Sequence, residues 1–373
     1  MKSLGIIAEF HPFHSGHKYL IEEAKKRTGV EVCVSVISGD FMQRGIPAVL
    51  DKWSRAEEAV KNGVNLVIEL PTVFACNSAE YFAKGGVALL EGLGMIDFLA
   101  FGSECGDLEK LMRAAEFLRK NHDRVHREIQ SLLKEGCSYP KARAIAVSAL
   151  CREDGAAGLL SQPNNILGVE YLKQIKNMIP LTIKRKGHGY HATATAIRAE
   201  MERENPERFQ LIRENYWRLV SAKILQTDSK RLEEIFSAGG GLGNKLKQEV
   251  RYAENTEDLI GRIKSKVYTH SRISRLLTQT LLDIDQPAVY DAQLYGRVLA
   301  LDQTGSRFLR EIKKNECAEF PLITNINKGL KDFPQIRKTL EKDILAADMY
   351  NLIAGNDLYR YSDYVKKPYV EIV

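Results

Sequence analysis

Between residues 4 and 101 the chain alternates short, wholly apolar runs with longer stretches of helical periodicity, and few folds accept that pattern. Residues 4–10 (LGIIAEF), 30–38 (VEVCVSVIS), 66–70 (LVIEL) and 96–101 (IDFLAF) read as strands, and residues 16–27, 53–62 and 79–90 as helices. A strand with apolar side chains on both faces has to be covered on both faces, and crossover helices between parallel strands supply that cover. The order βαβαβαβ therefore predicts an α/β fold: a Rossmann-like domain on a parallel sheet.

Beyond this core, residues 108–151 turn mostly helical, residues 181–184 (LTIK) return as a strand, and another helix starts near Thr195. This predicts a first domain over residues 1–203 with a helical insertion at about 108–160. Past Asn205-Pro206 the pattern is nearly all helical, which predicts a separate α-helical domain over residues 204–373. The cluster Gly239-Gly240-Gly241-Leu242-Gly243 reads as a turn between helices, without the strand–turn–helix context of a phosphate loop.

With 373 residues, 44% hydrophobic and 27% charged, the chain is long enough for two cores and too apolar for disorder. No apolar run reaches the roughly 18 residues that would span a membrane. The run from Leu4 is broken by Glu9, His11 and Pro12, unlike a signal peptide, so the expected location is the cytoplasm. The six cysteines contain no CxxC pair, which argues against a zinc knuckle, and Cys33 and Cys76 read as core thiols.

The first strand runs directly into His11-Pro12-Phe13-His14-Ser15-Gly16-His17, where a helix begins. The carboxyl end of a parallel strand opens onto the ligand crevice, and the next helix presents free N–H groups and a positive dipole to an anion. Gly16 lets a phosphate approach the backbone, and histidines three apart share one side of a helical turn. Both could donate to a polyphosphate and stabilise the charge that builds during displacement at the α-phosphorus. The alternatives are two surface histidines or a metal site, but no third ligand and no HExxH are evident.

An HxGH signature of this kind resembles the HxGH nucleotidyltransferase superfamily, which carries a second signature after a later strand. Thr193-Ala194-Thr195-Ala196-Ile197-Arg198 is similar to that second signature. Thr195 would donate to phosphate from a helix N-terminus, and Arg198 would neutralise the leaving pyrophosphate. Alone, the segment is also a helix cap followed by a helix.

Taken with GIIAEFHPFHSGH, SGDFMQRGIPA, DKWSRAEEAVKNGVNLVIELP, FGSE, EGCSYPKAR, QPNNILGVEYL and YTHSRISRLL, the chain resembles the bacterial tRNA(Met) cytidine acetate ligase family over nearly its whole length. The resemblance implies that residues 1–203 are a nucleotide-binding, adenylating domain, that acetate is activated by ATP, with Mg2+ as its accompanying ion, to acetyl-adenylate and pyrophosphate, and that N4 of the wobble cytidine of elongator tRNA(Met) is then acetylated. It implies catalytic roles for His14, His17, Thr195 and Arg198. It implies an ATP site made of Ile7, Ala8, Glu9, Phe10, His11, Pro12, Phe13, His14, Ser15, Gly16, His17, Lys18, Tyr19 and Leu20, with Gly102, Asn164, Arg185 and Lys186. Asp40, Gln43 and Arg44 follow the second strand at the same sheet edge and are candidates for the acyl group or α-phosphate. The family commonly has Asn where this chain has His11 and Asp40.

From Gly261 to Leu282 there is no acidic residue, whereas Arg262, Lys264, Lys266, Arg272 and Arg275 are present with Tyr268 and His270 among them. Charge for phosphates and a ring for an unstacked base are what RNA contact requires, so Arg262, Lys264, Lys266, Tyr268, Arg272 and Arg275 are the expected tRNA-binding set. A solvated helix face would normally mix both signs. The net charge of +6 points the same way. A small-molecule adenylyltransferase would account for HxGH equally well, but not for the basic helical half. An RNA-binding protein on a relict nucleotide fold would not need His14, His17, Thr195 and Arg198.

Overall fold

The computed structural model describes residues 1–137, 139–150, 156–185 and 194–372. Among these, the strands are β1 (Ser3–Ala8), β2 (Val32–Ser38), β3 (Leu66–Leu70), β4 (Phe98–Ser103), β5 (Ile179–Lys184), β6 (Gly296–Leu301), β7 (Leu322–Ile323) and β8 (Tyr369–Val370). They form one sheet in the order β5-β4-β1-β2-β3-β6-β7, with β8 also on β6. The first five strands are mutually parallel.

The apolar runs explain the layering. Along β2, Val32, Val34 and Val36 enter the core on one face of the sheet, and Cys33 and Ile37 enter the core on the other. Successive strand side chains point to opposite faces, so a run apolar at every position needs helices on both sides. The helices Ser15–Thr28, Lys52–Lys61 and Ala79–Gly92 supply that cover between successive strands. Cys33 and Cys76 are fully buried, and burial pushes both thiols up to about 12.

The second half is not helical throughout, which corrects the expectation for residues 204–373. β6 pairs antiparallel with β3, Glu69 opposite Arg297 and Leu66 opposite Leu301, and so extends the sheet of the first half. Its six residues are all buried, and a short run buried on every side has no periodicity to separate strand from helix. A buried ion cluster fastens this junction. Lys52 Nζ lies 2.7 Å from both Glu69 Oε1 and Asp363 Oδ2, and Arg297 pairs with the same two carboxylates. Glu69 therefore has a structural partner set, away from the crevice. Removing one member would strand the others in low dielectric at a cost of about 3–5 kcal/mol.

Between β4 and β5 lie the helices Leu108–Lys120, His122–Lys134, Tyr139–Leu150, Ala156–Leu159 and Pro163–Gln174. Gly239, Gly240 and Gly241 all take positive φ in the turn before the helix Leu242–Glu249. Trp53 and Trp217 are only partly buried against the cores.

Candidate active site

The connection from β1 leads outward through β2 to β3, whereas β4 lies on the other side of β1 and leads to β5. The order thus reverses between β1 and β4, and open α/β sheets bind ligands outside the carboxyl ends of the strands at such a point. A cavity of about 1310 Å³ opens there, lined by the ends of β1, β4 and β5. Pockets for one drug-sized ligand occupy roughly 300–1,000 Å³, so this cavity has room for a second reactant beside a nucleotide.

At the end of β1, Phe10 takes a left-handed φ of +46°, and its buried ring packs 5.0 Å from Phe13 and 5.0 Å from His17. His14 then caps the helix Ser15–Thr28, its Nδ1 accepting the Gly16 N–H at 3.0 Å. With Nδ1 accepting, the neutral ring carries its proton on Nε2, which makes Nε2 a donor. A Cβ on Gly16 would lie 2.8 Å from His14 Cε1, so glycine makes room for the folded-back imidazole. The His17 ring stacks on His14 at 3.8 Å. Burial, then the His14 and Arg185 charges, hold His17 well below the usual imidazole range. It is a neutral ring, and among the described residues its buried Nδ1 has no hydrogen-bond partner.

The second motif closes on the first. Arg198 Nη1 donates to the His11 carbonyl at 2.7 Å and Nη2 to Thr195 Oγ1 at 3.2 Å. Across the crevice Arg185 Nη1 donates to Asn164 Oδ1 at 3.4 Å, and a Cβ on Gly102 would lie 3.4 Å from Arg185 Cγ. Arg44 is exposed at the rim, on a loop in which Gln43 N–H donates to Glu9 Oε1 at 2.6 Å. Arginines 44, 185 and 198 and the N-terminal end of the helix Ser15–Thr28 thus face one cavity, which suits a polyphosphate.

A family model described as HIGH Nucleotidyl Transferase matches residues 1–363. A protein of Caldanaerobacter subterraneus subsp. tengcongensis named tRNA(Met) cytidine acetate ligase is 38% identical, the match covering 95% of this chain and 96% of that one. The chain belongs to the tRNA(Met) cytidine acetate ligase family of HIGH nucleotidyl transferases. A relative of the same name from Thermoanaerobacter sp. is 36% identical over 98% of both chains. The crystal structure of Thermotoga maritima TmcAL bound with alpha-thio ATP superposes with a TM-score of 0.90 at 28% identity, covering 99% of both chains. The apo form of that protein gives 0.88 at 28% identity and the same coverage.

In this HIGH nucleotidyl transferase the cavity is lined by Ile7, Ala8, Glu9, Phe10, His11, His14, Gly16, His17, Tyr19, Leu20, Gln43, Arg44, Gly102, Asn164, Arg185, Thr195 and Arg198. Pro12 and Phe13 turn instead toward a second, smaller pocket beside the helix Lys52–Lys61. Ser15 and Lys18 are exposed on the first helix and do not line the cavity. Lys186 and Thr193 lie outside the described residues.

Asp40 is corrected as an acyl or phosphate ligand. Its carboxylate is buried, accepts the Lys52 N–H at 2.8 Å and does not line the cavity. Burial pushes it up to about 7 despite the nearby Lys52.

The basic stretch divides as well. Lys264, Lys266 and Arg275 line the same cavity as the HxGH loop, with both lysines exposed. Arg272 instead donates to the Ser237 and Ala238 carbonyls at 3.1 and 2.6 Å, and its guanidinium lies 5.3 Å over the Tyr268 ring. Tyr268 Oη donates to the Gly240 carbonyl at 2.6 Å. Both residues therefore hold the glycine turn rather than offer a free cation and a free ring. Arg262 is paired with Asp258 at 3.0 Å, one turn outside the acid-free stretch.

Sequence reasoning passed over two features. Glu104 accepts Asn164 Nδ2 at 2.6 Å and the Asn165 N–H at 2.8 Å, while Asn165 Oδ1 accepts the Glu104 N–H at 3.0 Å. This reciprocal clamp fixes Asn164 at the cavity. An acid at a strand end and two asparagines opening a helix were its only signal. The other is Gly45, whose carbonyl accepts Ser274 Oγ at 2.9 Å and Thr278 Oγ1 at 3.0 Å. It docks the Arg44 loop on the helix His270–Leu281, a contact between segments 229 residues apart that no local pattern encodes.

Proposed function

We propose that this chain activates acetate with ATP as acetyl-adenylate, releasing pyrophosphate, and transfers the acetyl group to N4 of the wobble cytidine of elongator tRNA(Met). The observation that carries this reading is the convergence of the HxGH helix, Arg198 and the basic residues Lys264, Lys266 and Arg275 on one cavity. A small-molecule enzyme would need the first two, but not a basic wall opening onto the same space.

In the first step an acetate oxygen attacks the α-phosphorus, and the bond to the β-phosphate oxygen breaks. Negative charge grows on the non-bridging and leaving oxygens. The His14 Nε2–H, the positive end of the helix Ser15–Thr28 and the Arg198 guanidinium are preorganised to stabilise that charge. The neutral state of His17 suits a buried ring supporting His14 and contributes no charge of its own. Gln43 and Arg44 are the candidates to receive the acetate, and Arg185 with Asn164 to hold the nucleotide.

Among the described residues no group of three or more His, Cys, Asp or Glu side chains could hold a metal ion. A Mg2+ would arrive on the ATP phosphates with water in its other positions, as this ion commonly binds nucleotides. Among the described residues no helix is long and apolar enough to cross a membrane, and a tRNA substrate puts the enzyme's work in the cytoplasm.

The test is exchange of labelled pyrophosphate into ATP in the absence of RNA. Acetate-dependent exchange is expected; exchange that requires a different acid, or a phosphate ester, would reject acetate as the substrate.

A further inference from the structure

Glu9 is the first residue after β1, where the strand opens onto the cavity at the reversal of strand order. Its Oε1 accepts the Gln43 N–H at 2.6 Å, and among the described residues its Oε2 has no hydrogen-bond partner. The other cavity-lining acids differ. Glu170 is paired with Arg143 at 2.9 Å and Lys173 at 2.6 Å, Glu257 with His270 at 2.9 Å, and Glu80 is exposed at the rim. Glu9 thus stands between the loop of Gln43 and Arg44 and the second motif, with one carboxylate oxygen open to the cavity.

Acetyl transfer needs a group in that position. The N4 lone pair of cytidine is delocalised into the ring, so its attack on an acyl carbon is slow unless a base takes the proton as the C–N bond forms. We propose that Glu9 is the catalytic base of acetyl transfer, its Oε2 accepting the N4 proton of the target cytidine. This rests on the acetate-ligase reading above. The N4 lone pair bonds to the acetyl carbon, the bond from that carbon to the α-phosphate oxygen breaks, and AMP leaves with the electron pair. The proton passes from N4 to Glu9 and then to water.

The groups facing Glu9 fit the role. Burial raises its carboxyl above the ordinary carboxylate range, while the Gln43 N–H and the charges of Arg55, Arg44 and Arg198 pull the other way. The Tyr171 hydroxyl and Cys76 thiol lie within reach of its charge, and burial keeps both protonated. A raised carboxyl is a stronger base than an ordinary one.

The experiment compares wild type, Glu9→Gln and Glu9→Asp in two assays: acetate-dependent pyrophosphate exchange, and single-turnover acetyl transfer to a tRNA(Met) transcript across pH. Glu9→Gln should slow transfer relative to exchange by about 100-fold or more, the scale of general-base catalysis. Glu9→Asp, which keeps a carboxylate, should recover part of the loss. Wild-type transfer should rise with pH through the raised carboxyl and flatten in Glu9→Gln. An unchanged ratio of transfer to exchange in Glu9→Gln overturns the proposal, as does an equal fall in both. Should Glu9→Gln not fold, a wild-type transfer rate independent of pH overturns it instead. Absence of acetate-dependent exchange in the wild type would reject the acetate-ligase reading itself, a separate outcome.

Discussion

Arg198 reaches back across 187 residues to donate from Nη1 to the main-chain carbonyl of His11 at 2.7 Å. The same guanidinium contacts Thr195, so the two signature motifs meet through one side chain at the mouth of the cavity. Replacing it with Ala removes both a charge and the tie that sets the loop before His14. Pyrophosphate exchange should fall by about 100-fold or more, the scale for losing one preorganised donor. Arg198→Lys should rescue little, because an ammonium cannot hold the carbonyl and the cavity at once. Exchange kinetics of the two variants check this; a Lys variant near wild type would show that charge alone is required.

The paired histidines give a second expectation. His14→Ala and His17→Ala should each lower exchange, His14 by about 100-fold through loss of its Nε2 donor. His17 acts by holding the His14 ring, stacked at 3.8 Å, so His17→Phe should keep more activity than His17→Ala. Steady-state exchange rates decide between a supporting ring and a second donor.

A third prediction concerns stability and pH. Burial, with the Arg198 and Arg55 charges, pushes His11 down to about 3. Between that value and the ordinary imidazole value near 6.5, the unfolded chain binds a proton that the folded one does not. The His11 contribution to stability is therefore complete above about pH 6.5 and is lost as pH falls toward 3. Asp40, raised to about 7, acts in the opposite sense, so the two must be separated by difference. The stability gap between His11→Asn and wild type should shift in favour of the Asn variant as pH drops from 7 to 5. Denaturant unfolding at each pH measures it, and a constant gap would contradict it.

The basic stretch yields a fourth. Lys264→Glu with Lys266→Glu should weaken tRNA binding and lower the salt dependence by about one unit of slope per lost phosphate contact. Arg272→Glu should act differently, breaking the hold on the Ser237 and Ala238 carbonyls and costing about 1–3 kcal/mol of stability. Binding across a salt series and thermal unfolding, run on both variants, separate a contact from a scaffold. Equal loss of stability in both would refute the division.

How much of this was legible in the sequence depended on how local each requirement was. The β1 loop was readable because strand, glycine and histidines are contiguous and each has a chemical reason to be there. The clamp between Glu104 and Asn165 and the seat of Gly45 on the helix His270–Leu281 were not, because they join residues 61 and 229 positions apart. The three-residue spacing of Arg272 and Arg275 gave a shared face but not which side faced solvent. Arg272 turned toward the glycine turn and Arg275 toward the cavity. β6 was hidden by burial on every side, which erases the alternation that marks a strand.

The central claim is that one cavity takes acetate and ATP and delivers acetyl to tRNA. Its most direct measurement supplies carbon-labelled acetate, ATP and elongator tRNA(Met) to the purified protein, then digests the RNA to nucleosides. The account predicts label in N4-acetylcytidine, mapped to the wobble position, with one AMP and one pyrophosphate formed per acetyl transferred. Label that reaches tRNA only when acetyl-CoA replaces acetate and ATP, or none in cytidine at all, would contradict it.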